Sequence, residues 1–415
     1  MKISTLHICF LTVLMVLTGG ASDLWALRVM TLEECIDSAL VRNPAVNAAA
    51  LDVEKARILK GTSFDAPFTE ILLKQETTGG GGPENGVMFS QQFDFPSVYV
   101  ARHRSLDAAY RLEQSRFELQ MARTAREVEE AYYNLVYRRR LLQLNSELGA
   151  IYDKFLSTAT IRFNEGEAGA LEVMNAERMV EKNRMEREGI EADMAADMAL
   201  LRRLTYSGCD VMPADTAQRR LTRPDGDYDF GTSLRGSEAA GMLALADREV
   251  ALAKNEFLPG ISVGATVQAL IKGFNPYHIE RNRFEPGNFM GIEVGISVPL
   301  FFGAQRSRLK AANAEKAATL LRTEYAEAET LGEVASLRAR LDIMEKKLLG
   351  LQQESAPRAR EISRIATVSY DLGEIDYLEY IANMETAYSV YRDLEDAVYE
   401  YNQTIIRLNE ITATR

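Results

Sequence analysis

The stretch that decides the fold of this chain is residues 97–164, which read SVYVARHRSLDAAYRLEQSRFELQMARTAREVEEAYYNLVYRRRLLQLNSELGAIYDKFLSTATIRFN. It follows Pro96, contains no further proline and has a single glycine, Gly149. Its apolar residues recur at spacings of three and four, as in Leu141, Leu144, Leu148, Ile151 and Phe155. This spacing predicts a coiled-coil helix. At about 1.5 Å per residue the helix would span on the order of 100 Å. We therefore expect it to form a rod, one helix of a long bundle or part of the wall of a tube.

A second helical run is predicted to begin after Pro299 and to reach Tyr370. Its apolar residues repeat the same spacing, namely Val334, Leu337, Leu341, Met344, Leu348 and Leu351. Pro357 lies inside this run. We expect it to kink or break the helix, because proline lacks a backbone N–H and its ring collides with the preceding turn.

The two runs end alike, in a glycine turn followed by a Leu-Glu pair. The shared residues are Gly166, Glu167, Leu171 and Glu172 in the first run, and Gly373, Glu374, Leu378 and Glu379 in the second. This similarity predicts a tandem duplication of one large unit. The predicted divisions are a signal peptide at 1–26, a first repeat at 27–206, a linker at 207–236 and a second repeat at 237–415.

Two strand-like segments precede each long helix. They are residues 68–75 and 87–95 in the first repeat, and 261–269 and 290–298 in the second. All but the first alternate apolar with small or polar residues, which predicts strands with one apolar face. Such strands suit either a soluble sandwich or an outer-membrane barrel whose apolar face meets lipid, and about ten residues is the length that crosses a bilayer at a tilt.

The first 26 residues favour the barrel. Lys2 and the apolar run 8–17 are typical of a secretory signal, with cleavage open between Ala21 and Ala26. Four strands cannot close a barrel, because open edges in lipid leave backbone groups unpaired. Oligomerisation is therefore required, and three chains would supply about twelve strands.

The composition and motifs do not indicate catalysis, a cofactor or nucleic-acid binding. The net charge is −12 and no basic cluster stands out, so a phosphate-binding face is not expected. No H-E-x-x-H, G-x-S-x-G or Gly-Lys-Ser/Thr motif is present. Cys35 and Cys209 are isolated, which leaves buried thiols or one bridge between them. The methionines of the helix at 171–204 match core positions better than a copper site; they are Met174, Met179, Met185, Met194 and Met198.

The repeated turn is the candidate site. A turn at the end of a rod is exposed, so we expect its apolar Ala168, Ala170, Ile375 and Tyr377 to be available to a partner. The alternative is a helix turn that needs glycine and has no further role. The predicted docking residues are Phe163, Gly166, Gly169, Leu171, Tyr370, Gly373, Tyr377 and Leu378.

Taken together, these residues resemble the TolC-like outer-membrane efflux proteins over nearly the whole mature length. The resemblance rests on the TLEEC sequence at 31–35, on Leu40 and Asn43-Pro44, on two strand-pair and long-helix units, and on both glycine turns. The length and residues 370–381 are most similar to the CzcC and CusC cation-efflux branch. The resemblance implies a mostly α fold with β, forming a trimeric 12-stranded outer-membrane β-barrel continued by a periplasmic α-helical barrel.

The resemblance also implies a function and partners. The homotrimer would be a passive channel whose turns meet a periplasmic adaptor protein linked to an inner-membrane pump of the RND type. An acid that constricts the tube in this family falls on Glu379, with Glu172 as its counterpart, while a second acid found in some members is Ala382 here. Cargo stays open among metal cations, drugs and secreted protein, the last as in a type I secretion channel. The rival class is a periplasmic coiled-coil adaptor or scaffold.

Overall fold

The computed structural model describes residues 27–77, 83–167, 169–224, 226–269 and 288–414. The predicted signal peptide and Ala168 lie outside the described residues. The chain is mostly helical. Within the described residues the helices are α1 (Leu32–Arg42), α2 (Pro44–Leu59), α3 (Pro96–Asn164), α4 (Ala170–Thr205), α5 (Leu234–Asn255), α6 (Gly303–Gly350), α7 (Ala356–Asp371) and α8 (Tyr377–Thr412). The strands are β1 (Arg28–Met30), β2 (Glu70–Thr77), β3 (Pro83–Phe93), β4 (Val211–Pro213), β5 (Gly260–Ala269) and β6 (Asn288–Ser297).

Contacts divide the chain into two compact units. Unit one comprises the residues up to 49, 117–235 and 328–415, and unit two comprises 50–116 and 236–327. Each unit therefore takes segments from both predicted repeats, so that the division by packing differs from the division by sequence similarity.

The N-terminal helix α1 begins with a reciprocal cap. Thr31 Oγ1 accepts a hydrogen bond from the Glu34 N–H at 3.2 Å, while the Thr31 N–H donates to Glu34 Oε2 at 2.8 Å. This capping box satisfies two donors that a helix start leaves free. Asn43 is the C-cap of α1, and Pro44 begins α2.

Unit two contains one antiparallel sheet in the order β2–β3–β5–β6. Strand β3 pairs with β5, so the hairpins of the two predicted repeats form a single sheet. The register places Ile71, Phe89, Ala265 and Ile292 in one row across the four strands. Ile292 is 76% exposed on the edge strand. The period-two pattern thus identified β3, β5 and β6, and the apolar face of the sheet lies uncovered in the single chain.

Unit one is built on buried faces of the long helices. One core cluster joins α1, α3, α4 and β4 through Tyr132, Leu135 and Leu201, and another joins α6 to α8 through Leu341 and Tyr401. The three-four spacing predicted these faces because it gathers apolar side chains on one side of a helix. Among the described helices, none combines the length and the apolarity needed to cross a membrane.

The methionine prediction for α4 was partly wrong. Met194 and Met198 pack against a core cluster, as expected. Met174 and Met185 are exposed instead. Helical spacing alone could not separate them, since the narrow seam of α4 leaves neighbouring positions on the solvent side.

Pro357 does not break the second helical run. Residues Leu351–Ser355 form a π turn in which the Ala356 N–H donates to the Leu351 carbonyl five residues earlier, and α7 continues with Pro357 in its first turn. The wider turn accommodates a residue that has no N–H to donate, which is a known cause of π turns and kinks within long helices. The expected disruption therefore appears as one widened turn.

The segment predicted as a linker belongs, up to residue 235, to unit one. Its strand β4 pairs in parallel with β1, a pairing that the sequence analysis did not foresee. The Asn402 side chain accepts from the Leu221 N–H at 2.9 Å and donates to the Arg219 carbonyl at 2.8 Å. Cys35 and Cys209 are both free thiols, and burial raises the pKa of the Cys35 thiol to about 12.

Candidate functional site

The first glycine turn closes α3 with a specific hydrogen-bond pattern. The Gly166 N–H donates to the Phe163 carbonyl at 3.0 Å, and the Glu167 N–H donates to the Arg162 carbonyl at 2.8 Å. Gly166 has a φ of 77°, in the left-handed region that side chains disfavour. This is a Schellman cap, which satisfies carbonyls that the helix end leaves free.

The second glycine turn, which closes α7, repeats that geometry. The Gly373 N–H donates to the Tyr370 carbonyl at 3.0 Å, and the Glu374 N–H donates to the Ser369 carbonyl at 2.8 Å. Gly373 has a φ of 73°. The two predicted turns are therefore equivalent in backbone, hydrogen bonds and glycine position.

The helices that follow the turns start differently. Asp376 caps α8 by accepting from the Glu379 N–H at 2.8 Å through its side chain. Gly169 occupies the same position before α4 and supplies no side-chain cap. Aspartate is among the best N-cap residues, and glycine is only slightly worse than such residues at that position. The second turn is thus fixed by a side chain that the first turn lacks.

Both turns are attached to one aromatic cluster in unit one. Tyr377 stacks on Phe155 of α3, with ring centroids 4.5 Å apart and planes within 12°. Its hydroxyl donates to the Ile151 carbonyl at 3.1 Å, and Tyr370 meets its ring edge-on at 4.9 Å. Aromatic pairs in these geometries add about 0.5–1.5 kcal/mol beyond their buried area. The cluster therefore ties the end of α3 to the start of α8.

The burial of the Tyr377 side chain differs from the prediction. The sequence analysis predicted an exposed Tyr377, but the side chain is only 4% exposed. Its ring points into the cluster because Phe155 offers a stacking surface and Ile151 offers a hydroxyl acceptor. Tyr377 thus shapes the turn from inside, while its docking role stays a prediction.

Other predicted docking residues are accessible. Phe163, Leu171 and Leu378 are exposed, and Tyr370 is half-buried. Leu372, at the C-cap of α7, is also exposed and was not among the predicted residues. Its position directly before Gly373 was the signal that could have identified it, since a C-cap residue lies at the tip of the turn.

The two predicted constriction acids differ in their charge environment. Glu172 Oε1 lies 3.0 Å from Arg162 Nη1 across the first turn. Glu379 is exposed, and it makes no ion pair with any residue that the structure describes. In the second turn Ser369 replaces the arginine, and its hydroxyl donates to Glu374 Oε2 at 2.8 Å. Glu172 thus has an arginine partner in the first turn, whereas its counterpart Glu379 has no ion-pair partner among the described residues.

The described part of the chain contains no group of three or more His, Cys, Asp or Glu residues placed to hold a metal ion. The turns instead combine exposed apolar side chains, fixed backbone geometry and exposed carboxylates, Glu379 among them. Such a surface is suited to contact with another protein.

A sequence model described as "Outer membrane efflux protein" matches residues 79–205 and 237–414. The chain belongs to the outer membrane efflux protein family. The two matched segments account for more than half of the chain, and together they contain both glycine turns. The resemblance inferred from the sequence is thereby confirmed.

Solved structures share the fold of this efflux protein at low sequence identity. A CusC structure aligns with a TM-score of 0.76 at 17% identity, covering 95% of this chain and 96% of that one. The Campylobacter jejuni CmeC outer membrane channel aligns at 0.72 and 15% identity, covering 92% and 85%. The open state of the Neisseria gonorrhoeae MtrE channel aligns at 0.73 and 16% identity, covering 92% and 88%. No curated protein sequence matches.

Family membership places the efflux protein in the outer membrane, with an extension into the periplasm. Proteins of this family are channels rather than enzymes. The glycine turns therefore belong to a transport protein.

Proposed function

We propose that the chain is the outer-membrane channel of a tripartite efflux system, working as a homotrimer that passively exports substrates. A periplasmic adaptor would contact the glycine turns and link the channel to an inner-membrane pump of the RND type. The passive role follows from the sequence, which carries no nucleotide-binding motif. The energy for transport would thus come from the pump.

The observation that carries this proposal is the sheet of unit two. One face presents the apolar row of Ile71, Phe89, Ala265 and Ile292, and the opposite face presents the row of Glu70, Ser90, Gly264 and Glu293. The apolar face suits lipid and the polar face suits a water-filled lumen. The outer strands β2 and β6 each have one side without a strand partner among the described residues.

The free strand edges require that several chains close the barrel together. In a bilayer each unpaired backbone group costs several kcal/mol, so a spanning sheet must close on itself. Three copies of a four-stranded sheet would provide about twelve strands, within the range of outer-membrane barrels. In this arrangement β6 of one chain pairs with β2 of the next.

The glycine turns would form the adaptor-docking end. Phe163, Leu171 and Leu378 supply exposed apolar contacts, and Gly166 and Gly373 fix the backbone that presents them. The tandem repeats at 27–206 and 237–415, joined by 207–236, would then present two related docking surfaces per chain.

Glu379 would set the constriction. Three copies of an exposed carboxylate around a narrow axis attract cations through their summed field. Glu172 would contribute less to this field, since Arg162 compensates its charge at 3.0 Å. A cation-favouring entrance is consistent with metal or cationic drug cargo.

The proposal is tested on the purified mature protein. Size-exclusion chromatography with light scattering in detergent is expected to give a trimer, and planar bilayers are expected to show discrete conductance steps. A water-soluble monomer that needs no detergent would contradict both the barrel and the trimer. Efflux assays in a deletion strain, with metals and drugs side by side, then separate the cargo classes.

A further inference from the structure

The segments that join the sheet of unit two to its helices form a basic collar. They are residues 60–69, 94–106, 254–259 and 298–310, and together we call them the collar. The collar contains seven Lys or Arg residues and three Asp or Glu residues, whereas the whole chain has a net charge of −12. Positive charge is thus concentrated where the strands end, in a chain that is otherwise acidic.

Large apolar side chains of the collar are exposed next to the strands. Phe68 lies just before β2, Leu300 and Phe301 follow β6, and all three are exposed, Phe301 by 89%. The basic residues of α6 come after these apolar residues, and on α3 the exposed Val100 lies one turn before Arg104. An apolar belt followed by Lys and Arg is typical of the boundary between hydrocarbon and lipid headgroups.

Ion pairs neutralise only some of the charges in the collar. Arg102 Nη2 lies 3.0 Å from Asp94 Oδ2, and Arg308 Nη1 lies 3.0 Å from Glu256 Oε2. These two pairs use two of the three acids, and the third, Asp65, is exposed. Exposed bases without an ion pair among the described residues are Arg104, Lys254, Arg306 and Lys310. The collar therefore keeps a positive surface after pairing.

Contacts between helices show which side of α3 carries Arg104. Lys60, directly after α2, pairs with Asp107 at 2.6 Å, so Asp107 marks the side of α3 towards α2. A Cβ at Gly241 of α5 would lie 3.4 Å from Leu112 Cα, so Leu112 marks the side towards α5. Successive residues of a helix are about 100° apart around its axis, which places Arg104 between these two sides and at least about 60° from each.

Arg306 and Lys310 of α6 lie on the same side of this helix layer as Arg104. Lys316 pairs with Asp247 of α5 at 2.6 Å and marks the side of α6 towards α5. The helices α3 and α6 run in the same direction, because they follow β3 and β6, and both of these strands are antiparallel to β5. On each helix the bases lie about 60–120° from the side that contacts the preceding helix, in the same sense of rotation.

We infer that Arg104, Arg306 and Lys310 bind the phosphate groups of anionic phospholipids at the periplasmic surface of the outer membrane. The inference rests on the proposed function, in which the apolar face of the sheet meets lipid. Unpaired bases inside the lumen would oppose the cation preference proposed there, so this side of the helices faces outward. Lys and Arg bind phosphate through charge-assisted hydrogen bonds and are attracted to an anionic membrane surface.

The depth of the three bases suits a headgroup layer. At about 1.5 Å per residue, Arg306, Lys310 and Arg104 lie about 5, 10 and 12 Å from the first residue of their helices. A headgroup layer is about 5–8 Å thick on each side of the hydrocarbon. Long basic side chains bridge the remaining distance, because they extend along the helix while keeping the charged end among polar groups.

A free anion is the competing partner, and the channel lumen is the competing location. Three probes distinguish the partners: dioctanoyl phosphatidylglycerol carries a net negative charge, dioctanoyl phosphatidylcholine has the same chains and no net charge, and inorganic phosphate has no chains. The permeability ratio of K⁺ over Cl⁻ in bilayers of neutral lipid reports on the lumen, since charges that line a channel change this ratio.

Isothermal titration calorimetry on the full chain in a non-ionic detergent provides the test. Phosphatidylglycerol is expected to bind saturably and at least about tenfold more tightly than phosphatidylcholine at low salt. This preference should shrink as salt is added, because ions screen exposed charges. Inorganic phosphate is expected not to displace the lipid.

Substitutions in the collar are expected to reduce this preference. Arg306→Gln should weaken phosphatidylglycerol binding about fivefold, and the combined Arg104→Gln, Arg306→Gln and Lys310→Gln variant should lose the preference over phosphatidylcholine. Arg308→Gln is the matched control, since it removes the same charge two residues away from a side chain that is already paired. The combined variant should keep the wild-type permeability ratio.

Four results would overturn the inference. They are equal binding of the two lipids, displacement of the lipid by inorganic phosphate, equal effects of Arg306→Gln and Arg308→Gln, and a raised permeability ratio with unchanged lipid preference in the combined variant. If the combined variant loses its trimer, the two single variants decide. Wild-type protein that forms a conducting trimer without a lipid preference would contradict this inference alone and leave the proposed function intact.

Discussion

Arg162 lies 3.0 Å from Glu172 across the first glycine turn, whereas Ser369 occupies the corresponding place in the second turn and no cation of the described residues pairs with Glu379. A duplicated acid has thus acquired two different electrostatic environments through one difference at a neighbouring position. The charge that a passing ion meets would come chiefly from Glu379.

Removing the Glu379 charge is expected to weaken cation preference at the channel entrance. In planar bilayers, Glu379→Gln should lower the K⁺ over Cl⁻ permeability ratio by about twofold or more, because the field at the axis scales with the charge that produces it. Glu172→Gln is the matched control and should change the ratio less. Equal effects of the two substitutions, or no effect of either, would contradict the assignment.

The cost of replacing the two turn glycines is expected to come from their backbone conformation rather than from a steric clash. No atom lies within 4 Å of a Cβ built on Gly166 or Gly373, yet both have positive φ. Gly166→Ala and Gly373→Ala should each cost about 1 kcal/mol in the free energy of unfolding. Gly332→Ala in α6 has equal space and ordinary helical φ, so it should stabilise by about 0.5–1 kcal/mol.

Thermal unfolding in detergent measures these three changes. Cross-linking to the cognate adaptor adds a functional measure, in which Gly373→Pro should lose the adaptor while the trimer remains. Retained cross-linking in Gly373→Pro would show that the adaptor does not contact this turn.

Substitutions of Tyr377 and Phe163 are expected to have different effects, the first on the free energy of unfolding and the second on adaptor docking. Tyr377→Ala removes a buried ring and should destabilise by about 3–5 kcal/mol, with faster hydrogen exchange in both turns. Phe163→Ala removes an exposed ring and should change stability by less than about 0.5 kcal/mol while weakening adaptor cross-linking. If hydrogen exchange in the first glycine turn stays as slow in Tyr377→Ala as in the wild type, the two turns are not joined through this ring.

Glu129 on α3 provides a pH-dependent prediction. Burial, together with the charge of Glu130, raises the pKa of its carboxyl. A carboxyl whose folded pKa exceeds its unfolded value binds its proton more tightly when folded. It therefore stabilises the fold at low pH, and that contribution is lost as the pH rises from the unfolded pKa through the folded one.

Glu129→Gln should accordingly raise the melting temperature at pH 7, where the buried charge is costly, and give little gain near pH 4. Glu127→Gln, at an exposed position of the same helix, should show no such pH dependence. A gain in Glu129→Gln that is equal at both pH values would indicate a packing effect instead.

Much of the fold was predictable because its signals are periodic and local. Period-two alternation identified β3, β5 and β6, three-four spacing identified the long helices, and glycine followed by a Leu-Glu pair identified both turns. The pairing of β1 with β4 was not predictable, since strands of three residues are too short to show a period and their partners lie far apart in sequence.

The candidate site was predictable in position but not in orientation. The sequence placed Tyr377 in the second turn, but its burial depends on Phe155, which approaches through the tertiary fold. The Arg162–Glu172 pair likewise forms across a turn whose geometry the sequence only suggested. The direction of a side chain at a turn depends on residues that the tertiary fold brings close, and a local sequence pattern does not identify those residues.

The π turn at Leu351–Ser355 has a consequence for how insertions and deletions are tolerated. Each residue added to or removed from a helix rotates everything beyond it by about 100° around the axis. On α7 the buried side chains are Ala356, Ala359 and Ala366, whose small size lets α7 approach its neighbours closely. Loss of one residue from the regular part of α7 would swing these alanines outward, whereas loss of one residue from the π turn would restore an ordinary α turn and leave them facing their neighbours. The π turn therefore accommodates a one-residue difference in helix length while the second glycine turn keeps its azimuth around the helix axis.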